Sequence, residues 1–183
     1  MQPWSRRRRL KVARWAATAV LVAAAILLGR GRWPEALRPG SNDPFSARVS
    51  GLGRPIDGDS LWVGGNEVRL KGIDAPEGRQ TCRRSGAIWG CGEAARSALV
   101  GLIGRNAITC DISERDRYGR LLAYCRAGDR DLNAAMVTAG MAVAYGGYGR
   151  EEAEAKAARR GIWNSEFETP RQWRDEHNAR LAR

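Results

Sequence analysis

VRLKGIDAPE, residues 68–77, alternates the apolar Val68 and Leu70 with the basic Arg69, then sets Asp74 and Glu77 around Ala75 and Pro76. Successive side chains of a strand point to opposite faces, so Val68 and Leu70 pack on one side while Arg69 faces the other. The residue before a proline is held extended. The chain therefore leaves the strand at Ala75-Pro76 in a turn that lets Asp74 and Glu77 approach one cleft.

Short strands surround this segment. SARVSGLGRPIDGDSLWVGGNEVRLKGID carries apolar runs at Ala47–Val49, Ser60–Val63 and Val68–Ile73, with Gly64-Gly65-Asn66 as a hairpin connection. Ala107–Ile112 and Arg120–Arg126 form a second hairpin, and five such strands with turns at this spacing predict a small barrel. Helical periodicity marks Glu93–Ile103, Asp131–Met141 with Asp131 as N-cap, and Arg150–Arg160 with Gly161 as its stop. The fold class is α+β. Trp163, Phe167 and Trp173 are expected to cover the barrel or a helix seam.

Residues 1–40 read differently. A basic run, WSRRRRLKVAR, precedes the apolar WAATAVLVAAAILLG and a spacer containing Pro and Gly, the layout of an export signal or signal anchor. The apolar run, residues 15–29, is short against the roughly twenty residues of a comfortable span. Cleavage and anchoring in the inner membrane both stay open, as do the general and twin-arginine export routes. The protein is thus expected to be periplasmic or secreted. Nine of the 31 basic residues and one of the 20 acidic residues lie in the first 38 positions, so the remainder carries 22 against 19. The formal charge of +11 is mostly a targeting effect and says little about a nucleic-acid partner.

The four cysteines at 82, 91, 110 and 125 suggest disulfides in an exported chain. In a hairpin centred between Arg117 and Tyr118, Cys110 and Cys125 face each other, which favours Cys110–Cys125 with Cys82–Cys91. No C-x-x-C supports zinc.

Charge collects at strand ends and turns: Asp57-Gly-Asp59, Arg69, Asp74 with Glu77, and Asp116-Arg-Tyr-Gly-Arg120. Carboxylates with a backbone carbonyl suit a hard cation such as Ca2+. A further carboxylate can activate water, and paired arginines can grip phosphate oxygens. Together these parts describe phosphodiester hydrolysis. The sole histidine, His177, lies in the polar tail, so neither a serine triad nor a histidine-ligated zinc site can be assembled.

IDGDSLWV, VRLKGIDAPE, DRYGRLLAY, DLNAAMVTAGMA and AARRGIW resemble, in order and spacing, the staphylococcal nuclease (thermonuclease) family. The resemblance covers roughly residues 46–165. It implies a five-stranded OB-fold barrel with three α-helices in a domain of residues 45–165; the polar tail, 166–183, has no counterpart in the family's reference nuclease. It also implies Ca2+-dependent hydrolysis of DNA and RNA at the P–O5′ bond, leaving 3′-phosphates. By that resemblance Asp59, Asp74 and the carbonyl of Ala75 hold Ca2+, and Asp57 tunes the site indirectly. Glu77 is the general base, Arg69 and Arg120 grip phosphate, and Tyr145 and Tyr148 contact nucleotide, although their YGGY spacing departs from the family's. Ala75 stands where the family's reference nuclease has threonine. The loop at 78–92, with Cys82, Arg83, Arg84, Trp89 and Cys91, is expected beside the site, where a disulfide would stiffen it. A monomer is expected. The competing class is a non-catalytic OB module that binds single-stranded nucleic acid or another anionic polymer.

Overall fold

The computed structural model describes residues 47–181, and the expected export segment lies outside them. Among the described residues no helix is long and apolar enough to cross a membrane.

Among the described residues there are eleven strands: β1 Arg48–Gly51, β2 Gly53–Pro55, β3 Ser60–Val63, β4 Asn66–Leu70, β5 Ile73–Asp74, β6 Cys82–Arg84, β7 Ala87–Trp89, β8 Ile108–Arg115, β9 Leu121–Ala127, β10 Arg130–Asp131 and β11 Val143–Ala144. The helices are α1 Cys91–Ile103, α2 Leu132–Thr138, α3 Gly149–Ala157 and α4 Pro170–Leu181, with a 3-10 turn at Gly161–Asn164. The main sheet runs β1-β8-β9-β4-β3-β2. Because β1 and β2 are separated by Leu52 alone, they act as one bent strand that pairs β8 at one end and β3 at the other. The sheet closes on itself as a five-stranded barrel, in which β4 and β9 are parallel and the other pairs antiparallel. Closure removes the exposed sheet edges that otherwise invite aggregation. This is the expected OB-type arrangement.

Alternation in the strands supplies the core. Leu61, Val63, Val68 and Leu70 from β3 and β4 are at most 1% exposed, and meet Ile108, Cys110, Ala123 and Cys125 from β8 and β9 with Leu99 of α1 and Met136 of α2. Cys110 lies directly opposite Cys125 across β8 and β9, with Cα atoms 4.0 Å apart, and the two are bridged. A bridge closing a loop of this size removes about 3 kcal/mol of unfolded-chain freedom.

The chain departs from expectation after Trp163. Three helices were expected; a fourth, α4, occupies the tail. Thr169 accepts a hydrogen bond from the backbone N–H of Gln172 through Oγ1, while Gln172 Oε1 accepts from the Thr169 N–H, and Pro170 opens the helix. That reciprocal pair is a capping box with proline at the first helical position. Pro170, Trp173, Arg174 and His177 form its inward face at i, i+3, i+4, i+7 spacing. Trp163 and Phe167 do not cover the barrel. They pack with Ile162 and Trp89 on the Cys82–Cys91 bridge, a second, smaller core.

The 78–92 loop therefore seats the tail. Arg83 and Glu166 exchange backbone hydrogen bonds of 2.9 and 2.8 Å, Arg84 Nη2 donates to the Gly161 carbonyl, and Trp89 Nε1 donates to Ser165 Oγ. The buried Gln80 donates through Nε2 to the Glu168 carbonyl and accepts through Oε1 from the Glu77 N–H. One amide thus ties the Glu77 turn to the segment that launches α4.

Gly92, in the first turn of α1, lies against that turn. A Cβ there would sit 1.8 Å from the Glu77 carbonyl oxygen. Gly92→Ala is expected to cost about 2–3 kcal/mol by overpacking, read as a lowered denaturation midpoint, and to displace Glu77. A midpoint equal to that of the wild type would show that α1 slides without consequence.

Candidate active site

The barrel delivers its charged side chains to one cleft of about 870 Å³. Asp57, Arg69, Asp74, Glu77, Arg120 and Tyr145 all line it, with Asp116, Tyr118, Arg171 and Arg174.

The floor is set by β3 and β4. Ser60 pairs with Arg69, and the Leu70 N–H donates to the Asp59 carbonyl at 2.8 Å, which places Asp59 beside Arg69. Asp57 Oδ1 accepts from the N–H groups of Asp59 and Ser60, an Asx turn that fixes this corner. Gly58 is required within it, because a Cβ there would meet the methyls of Ala75 and Ala95 at 2.6 and 2.7 Å. Ala75 in turn donates its N–H to Asp59 Oδ2 at 3.0 Å. Asp74 is held from the other side, since β5 pairs with β11 and Val143 lies opposite Asp74. The same ladder continues as Tyr145 N–H to the Gly72 carbonyl, and brings Tyr145 to the rim.

Asp59 and Asp74 are 2% and 3% exposed, and Arg69 Nη2 lies 2.8 Å from a carboxylate oxygen of each. One guanidinium nitrogen therefore bridges two buried carboxylates. It does not balance them both: burial pushes the Asp59 carboxyl up to about 7, with Asp57 and Asp74 adding to the rise against Arg69 and the Ala75 N–H. A cation shared by the two aspartates would relieve that imbalance. Two convergent carboxylates with the neighbouring Ala75 carbonyl are hard oxygen donors of the kind Ca2+ takes. Among the described residues no three His, Cys, Asp or Glu side chains cluster as a metal site, so such an ion would complete its shell with water or substrate oxygens.

Arg120 lines the cleft just ahead of β9, the strand that pairs with β4. Its Nε and Nη2 both lie 2.8 Å from Asp116 Oδ2, and Asp116 Oδ1 accepts from the Tyr118 and Arg120 N–H groups. Burial works against the Asp116 charge, but these hydrogen bonds outweigh it and hold the carboxyl below its usual range. Asp116 is thus the residue that aims Arg120. Tyr118, 71% exposed, lies beneath both Arg117 and Arg120. Tyr148 is not on the cleft lining. It is half-buried against the main core, over Gly72, and burial raises its hydroxyl.

Asp116 belongs to the charge patch Asp116–Arg120 read in the sequence, but its role in aiming Arg120 does not show there, and two further contributors lie outside that reading. Asn133, fully buried, donates to the Lys71 and Ala123 carbonyls and accepts from the Cys125 N–H, which pins the end of β4 where the chain turns toward Asp74. Arg174 of α4 donates from Nη1 to Asp74 Oδ1 at 2.9 Å and to Glu77 Oε1 at 2.7 Å, and from Nη2 to Asp74 Oδ2 at 3.0 Å. The signal for it lay in Thr169-Pro-Arg-Gln172, a helix start that the polar composition of the tail concealed.

Residues 67–165 match the family described as Staphylococcal nuclease homologue. The chain belongs to this family. It is 35% identical over 128 residues to the succinoglycan biosynthesis protein ExoI of Rhizobium meliloti, covering 66% of this chain and 67% of that one. It is 38% identical over 149 residues to Protein ParB of Escherichia coli, covering 69% and 79%, and 36% identical over 143 residues to a micrococcal nuclease of Shigella flexneri, covering 66% and 77%. In this staphylococcal nuclease homologue the family match ends at residue 165. Arg174 enters the cleft from beyond it. A second concavity, of about 510 Å³, is lined by Trp173, Glu176 and His177 of α4 with Thr81, Arg83 and Ile88, and contains none of the site carboxylates. His177 is stacked on Trp173 there, with ring centres 4.5 Å apart.

The folded-state value of Asp59 lies above its ordinary 3.8, so the unfolded chain releases this proton first as pH rises. The stability it contributes is complete below 3.8 and is lost on approach to about 7. In metal-free protein Asp59→Asn is therefore expected to gain on the wild type, by on the order of 2 kcal/mol between about pH 4 and about pH 8. Denaturation of both at the two pH values measures this, and a pH-independent difference would refute it.

Proposed function

We propose that the protein is an exported Ca2+-dependent nuclease that hydrolyses the phosphodiester bonds of DNA and RNA. The observation that carries this reading is the convergence of the buried pair Asp59 and Asp74 on Arg69, beneath a cleft that also presents Glu77 and Arg120, in a member of the staphylococcal nuclease family.

Asp59, Asp74 and the Ala75 carbonyl would hold the ion. Bound there, it would supply Lewis-acid polarisation of the scissile phosphate. Glu77 takes a proton from the attacking water. The new P–O bond forms as the P–O5′ bond breaks, and the departing O5′ takes a proton from solvent water, leaving a 3′-phosphate and a 5′-hydroxyl. Arg69 and Arg120, which reach the cleft from β4 and from just ahead of its partner β9, grip non-bridging oxygens and offset the charge that builds on them. Asp57 acts indirectly, by shaping the turn that presents Asp59. Tyr145, 63% exposed at the rim, offers a face to a nucleobase, whereas Tyr148 supports the fold. Export follows from residues 1–40, either as a cleaved signal or as an anchor in the inner membrane, and the working unit is a monomer.

Digestion of single-stranded DNA and of RNA with Ca2+, with Mg2+ and with chelator tests the reading. Degradation that needs Ca2+ is expected. Binding of the polymer without cleavage, surviving chelation, would instead establish a non-catalytic module. Glu77→Gln is expected to lower kcat by roughly 10²–10⁴ with the fold intact by circular dichroism, and full activity would remove Glu77 from its role.

A further inference from the structure

Arg174 makes two ion pairs that the proposed chemistry does not use. Its guanidinium spans both oxygens of Asp74 and reaches Glu77, so a single cation engages the proposed metal ligand and the proposed base together. The three carboxylates Asp59, Asp74 and Glu77 are then faced by two guanidinium groups, those of Arg69 and Arg174. Arg174 comes from α4, which is joined to the barrel domain by the Arg83–Glu166 bridge and the Gln80–Glu168 hydrogen bond, and is capped by its own Thr169 and Gln172. These attachments lie at the start of α4 and ahead of it. Arg174 itself, with its side chain 35% exposed, joins α4 to the site carboxylates.

We propose that α4 is a built-in latch: Arg174 is a tethered cation that occupies Asp74 and Glu77 in the metal-free protein, competes with the divalent ion, and releases when that ion binds. The inference rests on the metal-ligand roles proposed for Asp59 and Asp74. The competition is physical. A guanidinium that engages both oxygens of Asp74 takes up lone pairs an ion would use and sets its own positive charge where the ion would sit, and apparent affinity falls by the fraction of molecules in which the site is closed. Release also frees Glu77 to meet water. The hinge is short and already defined, since the chain stays fixed through Glu168 by Gln80 while α4 begins at Pro170. The latch also accounts for the Cys82–Cys91 loop, whose Arg84 and Trp89 hold the Gly161–Ser165 segment ahead of the hinge.

Calorimetric titration of full-length protein with Ca2+, without nucleic acid, separates the possibilities. Arg171→Gln is the charge control: Arg171 lines the same cleft from the same helix, yet no ion pair joins it to Asp74 or Glu77. Arg174→Gln is expected to bind Ca2+ about tenfold more tightly than the wild type, and Arg171→Gln within about twofold. Equal affinity of the two variants, or weaker binding by Arg174→Gln, overturns the latch while leaving the nuclease reading intact. Absence of Ca2+ binding in all three proteins would overturn the metal reading and the latch with it. Amide hydrogen exchange of the wild type gives a second test that needs no variant. Saturating Ca2+ is expected to speed exchange along α4 and to slow it around Asp74, and unchanged protection of α4 would refute release.

Discussion

Everything in the cleft is arranged around one nitrogen: Arg69 Nη2, placed 2.8 Å from a carboxylate oxygen of each of two almost fully buried aspartates. Burying two like charges side by side is costly unless cations meet them. The protein meets that demand in part with Arg69, in part with the Ala75 N–H on Asp59, and from outside the barrel with Arg174. Asp59 remains undercompensated, as its upward displacement shows. A site built in this way favours any further positive charge that can reach both carboxylates.

The barrel is what makes the pair possible. Closure through the bent β1–β2 strand, with β4 parallel to β9, brings the ends of β3 and β4 together, so that Arg69 lines the cleft with Asp59 buried against it. The 110–125 bridge stiffens the β8–β9 hairpin, at whose tip Asp116 aims Arg120, itself on the cleft lining. Asn133 serves the same end from below: it satisfies backbone groups at the end of β4 that the turn toward Asp74 would leave unpaired. Stability and chemistry are linked, because the turns that carry charge are also those that buried polar side chains hold in place.

The two disulfides serve different parts of the molecule. Cys110–Cys125 lies within the barrel core, whereas Cys82–Cys91 centres a small cluster that seats the segment after Trp163. Beyond that cluster α4 turns its inward face to the carboxylates through Arg174 and to a separate groove through Trp173 and His177. The protein thus joins a barrel that defines a cation site to a helical arm whose guanidinium answers it.

Much of this was legible in the residues alone. The alternation in Val68–Leu70, the turn glycines and the pairing of Cys110 with Cys125 depend on strand period and hairpin centring, which are local properties and determine the barrel strands, while helical periodicity with the Asp131 cap and the Gly161 stop marks α1 to α3. The convergence of Asp57, Arg69, Asp74, Glu77 and Arg120 could be expected because each sits at a turn or strand end of that barrel. The tail could not be read in the same way. Its capping signal, Thr169 to Gln172, was local and was passed over, but the destination of Arg174 was not local at all, lying 100 positions from Asp74. Nor does composition distinguish a tyrosine at a rim from one under a loop, as Tyr145 and Tyr148 show. The sequence by itself determined which charges the barrel would gather. Only the tertiary structure decided which of them are buried, which partner each one meets, and that a guanidinium from the far end of the chain closes on them, because burial and long-range ion pairing are set by three-dimensional packing and leave no periodic trace along the chain.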